Sequence, residues 1–146
     1  MVQIRLANSL ITDMGSEEDY SLVGNRLYAY NVRETRGLLK LPGRDINLYL
    51  RDAEDRVVGG LFCETWSYSL YIDMFWIDDS YRNQGCGKAM LAEAERQARE
   101  LGCIHAHTNT FSYQAPHFYE RMGYEVFGVN DGFPDGIKQY FLRKKL

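Results

Sequence analysis

Hydrophobic and polar positions change their period near the middle of the chain. An apolar, strand-like segment covers residues 70–77. After it, Leu91, Ala94, Ala98 and Leu101 recur at intervals of three or four residues, which places them on one face of a helix. This junction predicts a strand that leads directly into an amphipathic helix.

The same patterns predict the other elements of the chain. We expect a first helix from the capping residue Ser16 to about Val32. A short helix is expected with Ser112 as its capping residue, Pro116 in its first turn and Gly123 at its end. The predicted strands are residues 2–6, 46–50, 57–66, 70–77, 103–110, 124–129 and 137–142.

The connections between these elements determine the fold class. The three strands between residues 46 and 77 are joined by short polar links and predict an antiparallel meander. A helix connects strand 70–77 to strand 103–110, so these two strands are expected to be parallel. The sequence therefore predicts an α/β fold: a mixed, mainly antiparallel sheet of about seven strands, flanked by helices. A chain of 146 residues is expected to form one domain, 1–146.

Charge and cysteine usage limit the classes of function. The formal net charge is -3, which argues against a nucleic-acid partner. Cys63, Cys86 and Cys103 show no C-x-x-C spacing and fit a reducing compartment. His105 and His107 share a strand face, but no third ligand is spaced to complete a metal site. No apolar run approaches the ~20 residues of a membrane span, so we expect a cytoplasmic protein with no membrane partner and no metal.

Two glycines, Gly85 and Gly87, stand where the strand gives way to the helix. Glycine accepts a positive φ and lets a ligand approach the backbone, while the free N–H groups of a helix's first turn attract anions. The loop is not a P-loop, because Arg82 occupies the first glycine position of that motif. It is not the dinucleotide fingerprint either, because Met90 occupies the third glycine position. The loop therefore predicts an anion site, most often a phosphate site.

The motif Arg82-x-x-Gly85-x-Gly87 resembles the acetyl-CoA signature R/Q-x-x-G-x-G/A of the GNAT superfamily of N-acetyltransferases. A second pattern of that family is N-x-x-A-x-x-F/L-Y-x-x-x-G-F/Y. It aligns with residues 112–124 and matches at every position except the first, where Ser112 replaces the usual Asn. The two motifs stand in the family's order and at its usual separation, with the expected elements between them. The resemblance covers roughly residues 45 to 145.

The resemblance implies that the parallel strand pair splays apart in the centre of the sheet and that acetyl-CoA serves as co-substrate. In that family the loop amides hold the CoA pyrophosphate, and the pantetheine lies in the gap between the strands. Asn109 is a candidate to replace the pantetheine contact that Ser112 puts in doubt. The predicted CoA-binding residues are Trp76, Ile77, Arg82, Asn83, Gln84, Gly85, Cys86, Gly87, Lys88, Asn109 and Ser112.

Tyr119 matches the family's thiolate-protonating tyrosine. A phenol with a pKa near 10 is a weaker acid than a thiol near 8.5, so full proton transfer is uphill by ~2 kcal/mol. We therefore expect Tyr119 to donate a hydrogen bond to developing thiolate charge, although it could also be a packing residue. Asp73, inside an otherwise apolar strand, is the candidate general base or ammonium anchor, and Glu64 is the second candidate. The alternative for Asp73 is a structural hydrogen-bonding acid.

The resemblance implies direct transfer of an acetyl group from acetyl-CoA to a primary amine, through a tetrahedral intermediate, and we expect the amine to belong to a small molecule. Two alternatives stay open: an acyl-CoA sensor without turnover, and a toxin that acetylates aminoacyl-tRNA and would need a basic face. The acceptor is predicted to be a small cationic amine between residues 33–44 and 130–136, where Asp131 and Asp135 could attract it. Dimers are frequent in the family, so a homodimer is a further expectation.

Overall fold

The computed structural model describes residues 4–5, 10–40 and 43–146. The chain divides into two units, Met1–Lys40 and Leu41–Leu146. The single domain expected over residues 1–146 stays a prediction.

The N-terminal unit contains one long helix whose start is specified by the sequence. Strand β1 (Ile4–Arg5) pairs antiparallel with β2 (Ile11–Thr12), and helix α1 spans Glu17–Glu34. Ser16 and Asp19 form a capping box: the Asp19 N–H donates to Ser16 Oγ (3.2 Å) and the Ser16 N–H donates to Asp19 Oδ2 (2.8 Å). The predicted helix start is therefore confirmed. Of the predicted N-terminal strand, only Ile4–Arg5 lies within the described residues.

A six-stranded mixed sheet is the framework of the C-terminal unit. Its strands are β3 (Arg44–Arg51), β4 (Val57–Trp66), β5 (Ser69–Ile77), β6 (His105–Phe111), β7 (Glu125–Asn130) and β8 (Gln139–Lys145); the helices are α2 (Cys86–Glu100) and α3 (Pro116–Arg121). The spatial order is β3-β4-β5-β6-β8-β7, with β5 and β6 parallel, as predicted, and the other neighbours antiparallel. Among the described residues this sheet has six strands rather than about seven, because β1 pairs with β2 instead.

Helix α2 supplies the apolar face that covers the sheet. Leu91, Ala94 and Ala98 are fully buried, as predicted, and share one hydrophobic cluster with Leu61 of β4. Leu101 departs from the prediction. The helix ends at the preceding residue, so Leu101 is its C-cap and is 42% exposed.

A buried ion-pair network joins α2 to the C-terminal strand. Glu95 is 3% exposed and accepts two hydrogen bonds from Lys144 Nζ (3.0 and 2.8 Å) and one from the Tyr124 hydroxyl (3.0 Å). Arg99 lies 3.6 Å from the same carboxylate. No local pattern indicates these partners, because Tyr124 and Lys144 follow Glu95 by 29 and 49 residues.

Candidate active site

The parallel strands β5 and β6 separate partway along their length. They pair as far as Ile72 and Thr108 and no further. Past that point, residues 74–77 stay paired with β4, and residues 109–111 stay paired with β8. The Thr108 hydroxyl donates to the Ile72 carbonyl (2.9 Å) and closes the end of the paired region. The gap between residues 73–77 and 109–111, which we call the fork, confirms the splayed pair that the family resemblance implies.

An extra residue in β5 lies at the base of the fork. Phe62 pairs with Met74 and Cys63 pairs with Ile72, so Asp73 has no partner on β4 and forms a β-bulge. A bulge shifts the alternation of side chains by one position, because successive strand residues point to opposite faces.

The shift decides which side chains of β5 face the core beyond Asp73. Phe75 and Ile77 pack against the core, whereas Trp76 is 52% exposed. The Asp73 side chain is exposed, so this carboxylate lies beside the fork rather than in the core with a buried partner. Its assignment as the general base stays a prediction.

The loop between β5 and α2 presents backbone N–H groups for binding. Asn83 (φ 58°) and Gly85 (φ 82°) have left-handed backbone conformations. Gly85 is the N-cap of α2, and it supplies no side-chain hydrogen bond to the helix, which begins at Cys86. The first-turn N–H groups therefore lack a capping acceptor, and the helix dipole would stabilise a negative charge placed there.

The two glycines of the loop have different surroundings. A Cβ placed on Gly85 meets no atom within 4 Å, so Gly85 faces open space. A Cβ placed on Gly87 lies 3.4 Å from the ring of Phe118 and 3.5 Å from Ile77. Gly85 is thus the glycine that allows a ligand to approach, whereas Gly87 allows α2 to pack closely against β5 and α3.

Polar side chains of the loop mainly stabilise its shape. Arg82 Nε donates to the carbonyl of the last β5 residue (2.7 Å), and its guanidinium pairs with Asp79 (2.6 Å). Gln84 donates to the Ser80 carbonyl (3.1 Å). Lys88 is exposed at the first turn of α2. Arg82 and Lys88 are the two cations among the predicted CoA-binding residues, and Lys88 is the better placed to meet a phosphate, because Arg82 already joins the loop to β5.

Tyr119 lies on α3 beside the closed end of the fork. It is 5% exposed, and its ring contacts the rings of Phe118 and Tyr124. Burial raises the pKa of Tyr119 to about 12, hydrogen bonding with the Thr108 side chain lowers it in part, and the nearby Cys63 raises it slightly. Because Thr108 is the last residue of β6 that pairs with β5, the phenol lies where these two strands separate.

Ser112 does not cap α3, so that part of the prediction is wrong. The helix begins at Pro116, and Ala115 is its N-cap. Ser112 Oγ instead accepts from the Lys138 N–H (3.1 Å), and the Ser112 N–H donates to the Lys138 carbonyl (2.8 Å). Ser112 lies too far from the first turn to cap it, and the pairing of β6 with β8 gives it a nearer partner.

Asn109 is held on the other face of the sheet. Its Nδ2 donates to the Tyr71 hydroxyl (3.2 Å), and its Oδ1 accepts from Gln139 Nε2 (3.0 Å). Successive strand residues point to opposite faces, so this amide lies beside the fork on the face opposite Thr108. The roles of Asn109 and Ser112 in CoA binding stay predictions.

The turn between β7 and β8 lies near the open end of β6. The Phe133 ring contacts the ring of Phe111, the last residue of β6, at a centroid distance of 5.1 Å. Asp131 and Asp135 are exposed, and Asp135 has a left-handed φ of 56°. Their attraction of a cationic acceptor stays a prediction.

Among the described residues, no three His, Cys, Asp or Glu side chains come together in a way that could hold a metal ion. His105 and His107 instead stack, with ring centroids 6.0 Å apart. None of the described helices is long and apolar enough to cross a membrane.

Comparison with known proteins places these features in a family. The acetyltransferase (GNAT) domain model matches residues 44–126. Blasticidin-S acetyltransferase of Streptomyces morookaense is 37% identical over 119 residues, which cover 79% of this chain and 88% of that protein. An acetyltransferase of Agrobacterium fabrum is 30% identical over 138 residues, which cover 94% of this chain and 98% of that protein.

The fold itself also has a solved counterpart. The crystal structure of an acetyltransferase from Bacillus cereus matches with a TM-score of 0.79 and 32% identity, over 92% of this chain and 96% of that one. The family match includes the fork, the glycine loop and Tyr119. The resemblance carried by the two motifs is thus confirmed, and the chain belongs to the GNAT family of acetyl-transferring enzymes.

Proposed function

We propose that this enzyme transfers an acetyl group from acetyl-CoA directly to a primary amine of a small molecule. GNAT acetyltransferases use acetyl-CoA as the acetyl donor. The observation that carries the proposal is the position of Tyr119, whose side chain meets Thr108 where β5 and β6 separate. The relative named for acetylation of blasticidin-S supports a small-molecule acceptor.

The described residues suit the charge and the extended shape of CoA. The pyrophosphate would lie against the uncapped first turn of α2, beside the open side of Gly85 and the exposed Lys88. The pantetheine would lie in the fork, where the backbone of residues 73–77 has no strand partner on the β6 side. Backbone polar groups need partners, and an extended ligand can supply them as an added strand does.

Tyr119 is suited to donate a hydrogen bond to the leaving sulfur. Its pKa of about 12 exceeds that of a thiol near 8.5, so complete proton transfer would be uphill by about 5 kcal/mol. The phenol therefore stays neutral and stabilises negative charge on sulfur as the C–S bond breaks. The raised pKa strengthens the expectation that this residue acts as a donor without losing its proton.

Asp73 is the proposed anchor or base for the acceptor amine. The bulge places its carboxylate in an exposed position beside the fork. A carboxylate there can hold an ammonium near the thioester and can accept a proton as the amine attacks. Glu64, which pairs with Tyr71 two residues before the bulge, is the second candidate.

A screen of primary amines tests the proposal. Thiol release from acetyl-CoA would be followed with each amine, and the acetylated product would be identified by mass spectrometry. We expect release that depends on the amine and a product acetylated on nitrogen. Release that no small amine accelerates would reject the proposed acceptor class.

A further inference from the structure

A cleft opens on the sheet face opposite α2, next to the paired part of β5 and β6. Its volume is about 450 Å³, within the range of roughly 300–1,000 Å³ typical of small-ligand pockets. Among its lining residues are Glu64, Trp66, Ser69, Tyr71 and His107. The acetyl-CoA motifs include none of these residues.

Aromatic rings and a carboxylate line this cleft. The rings of Tyr71 and His107 are in tilted contact, with centroids 5.1 Å apart and an interplanar angle of 31°, and Trp66 is 42% exposed. Glu64 is exposed and forms no ion pair with any described residue. Burial, followed by the charge of His105, lowers the pKa of His107. The His107 ring is therefore neutral at pH 7 and does not repel a cation.

The cleft adjoins the fork. Tyr71 directly precedes Ile72, the last residue of β5 that pairs with β6. Its hydroxyl accepts from Asn109, the first residue of β6 beyond the paired region. Tyr71 and Asp73 are two residues apart, roughly 7 Å along a strand. A small molecule whose amine reaches the fork can thus place a second group in the cleft.

We propose that the cleft binds a second, cationic group of the acceptor, a guanidinium in preference to an ammonium. Glu64 is its counter-ion, and Trp66 and Tyr71 are its stacking rings. The inference rests on the proposed acetylation of a small amine and names a further part of that acceptor. A guanidinium is planar and weakly hydrated, stacks on aromatic rings and matches a carboxylate with two parallel N–H groups. An ammonium is a compact, strongly hydrated charge and gains less from this lining.

Three amines of equal chain length test the inference: 4-guanidinobutylamine, 1,6-diaminohexane and n-heptylamine. Their kcat/KM would be compared in wild type, Glu64→Gln and the control Glu54→Gln. Glu54 is an exposed carboxylate in the turn at the other end of the β3–β4 hairpin, so its substitution removes the same charge far from the cleft. We expect wild type and the control to prefer the guanidino amine over n-heptylamine by roughly tenfold, as a partly desolvated cation–π contact provides. Glu64→Gln should lose most of that preference.

The outcomes separate this inference from the proposed function. If amines are acetylated but Glu64→Gln keeps the wild-type preference, the cleft inference is overturned and the proposed function stands. An equal loss of kcat with all three amines would make Glu64 a base and would also overturn it. If no amine is acetylated, the proposed reaction is rejected, and calorimetry measures binding of 4-guanidinobutylamine instead. Binding to wild type but not to Glu64→Gln then supports the cleft, and equal binding to both overturns it. The Asp131→Asn, Asp135→Asn double variant is the last comparison. If this variant loses the preference and Glu64→Gln keeps it, the cation binds at the β7–β8 turn and not in the cleft.

Discussion

Tyr119 is held as a neutral phenol by its burial beside Thr108, with a pKa of about 12. Tyr119→Phe keeps the ring contacts with Phe118 and Tyr124 and removes only the hydroxyl. We expect kcat to fall about 10²-fold, with KM for acetyl-CoA nearly unchanged, as loss of a positioned hydrogen bond to developing negative charge does. Steady-state kinetics measure both constants. A kcat within a factor of about two of wild type would make Tyr119 a packing residue.

The same raised pKa predicts the shape of the pH profile. A folded-state pKa of about 12 keeps Tyr119 protonated through pH 10, so its ionisation cannot cause a loss of activity below that pH. We expect kcat measured from pH 6 to 10 to show no alkaline decline that depends on Tyr119. A decline near pH 8 or 9 that disappears in Tyr119→Phe would contradict the raised pKa.

Gly85 offers a matched pair of variants for the anion site. Asp and Asn have nearly the same shape, both tolerate a left-handed backbone, and both are good helix N-caps. Because Gly85 faces open space, Gly85→Asp adds a charge where the pyrophosphate is expected, and Gly85→Asn adds only bulk. We predict at least tenfold weaker CoA binding for Gly85→Asp than for Gly85→Asn, about 1.4 kcal/mol, by calorimetry. Equal CoA affinities in the two folded variants would show that the pyrophosphate does not bind beside Gly85.

At the scale of elements, α2 is attached to β8 by the Glu95 carboxylate. Glu95→Gln removes the charge that Lys144 Nζ contacts at 2.8 Å and leaves the ammonium of this side chain, which is only 22% exposed, without its counter-ion. Breaking one side of a buried pair is costly, and we expect the free energy of unfolding in urea to fall by about 3 kcal/mol. Glu93→Gln, on the exposed face of the same helix, is the control and should change stability much less. Equal changes in the free energy of unfolding for the two substitutions would show that the buried network stabilises the fold no more than an exposed ion pair does.

Local elements were predictable because their signals lie within a few residues of one another. The capping serine of α1 and the two motifs are of this kind, and the helix between β5 and β6 specified their parallel direction. The bulge at Asp73 depends on the register of β4 against β5, which no local pattern encodes. The same holds for Ser112, whose partner Lys138 is 26 residues away. Arg82 was predicted as a CoA-binding residue from its place in the first motif, whereas its hydrogen bond to the end of β5 depends on the path of the loop.

At the scale of the whole molecule, buried thiol and phenol groups predict that the protein loses stability at alkaline pH. Burial, followed by the charge of Asp73, raises the pKa of Cys63 to about 12, and Tyr119 and Tyr124 are raised as well. An unfolded thiol loses its proton near pH 8.5 and an unfolded phenol near 10. Above those pH values the folded state binds more protons than the unfolded state. These groups therefore leave the free energy of unfolding unchanged below about pH 8.5 and lower it as the pH rises towards 12.

Urea unfolding at pH 8 and pH 10 measures this loss. We expect wild type to lose about 2 kcal/mol over that interval, most of it from the Cys63 thiol. Cys63→Ala lacks this thiol and should show a shallower decline, whatever its stability at pH 8, because only Cys103, whose pKa burial also raises, and the two tyrosines remain to cause it. If the two proteins decline in parallel, Cys63 is not the group that titrates.

The fork gives the sheet an edge in its interior, since β5 loses its neighbour after Ile72 while β6 keeps β8. Residues 69–72 lie between two strands, and residues 73–77 have one strand only on one side. Amide hydrogens that point into the fork should therefore exchange with deuterium as fast as those of a loop, whereas those of residues 69–72 stay protected. A bound acyl donor would slow exchange in residues 73–77 and at the uncapped first-turn amides of α2, and would leave residues 69–72 unchanged. The occupancy of the site can then be followed on a handful of backbone amides, without any acceptor being known.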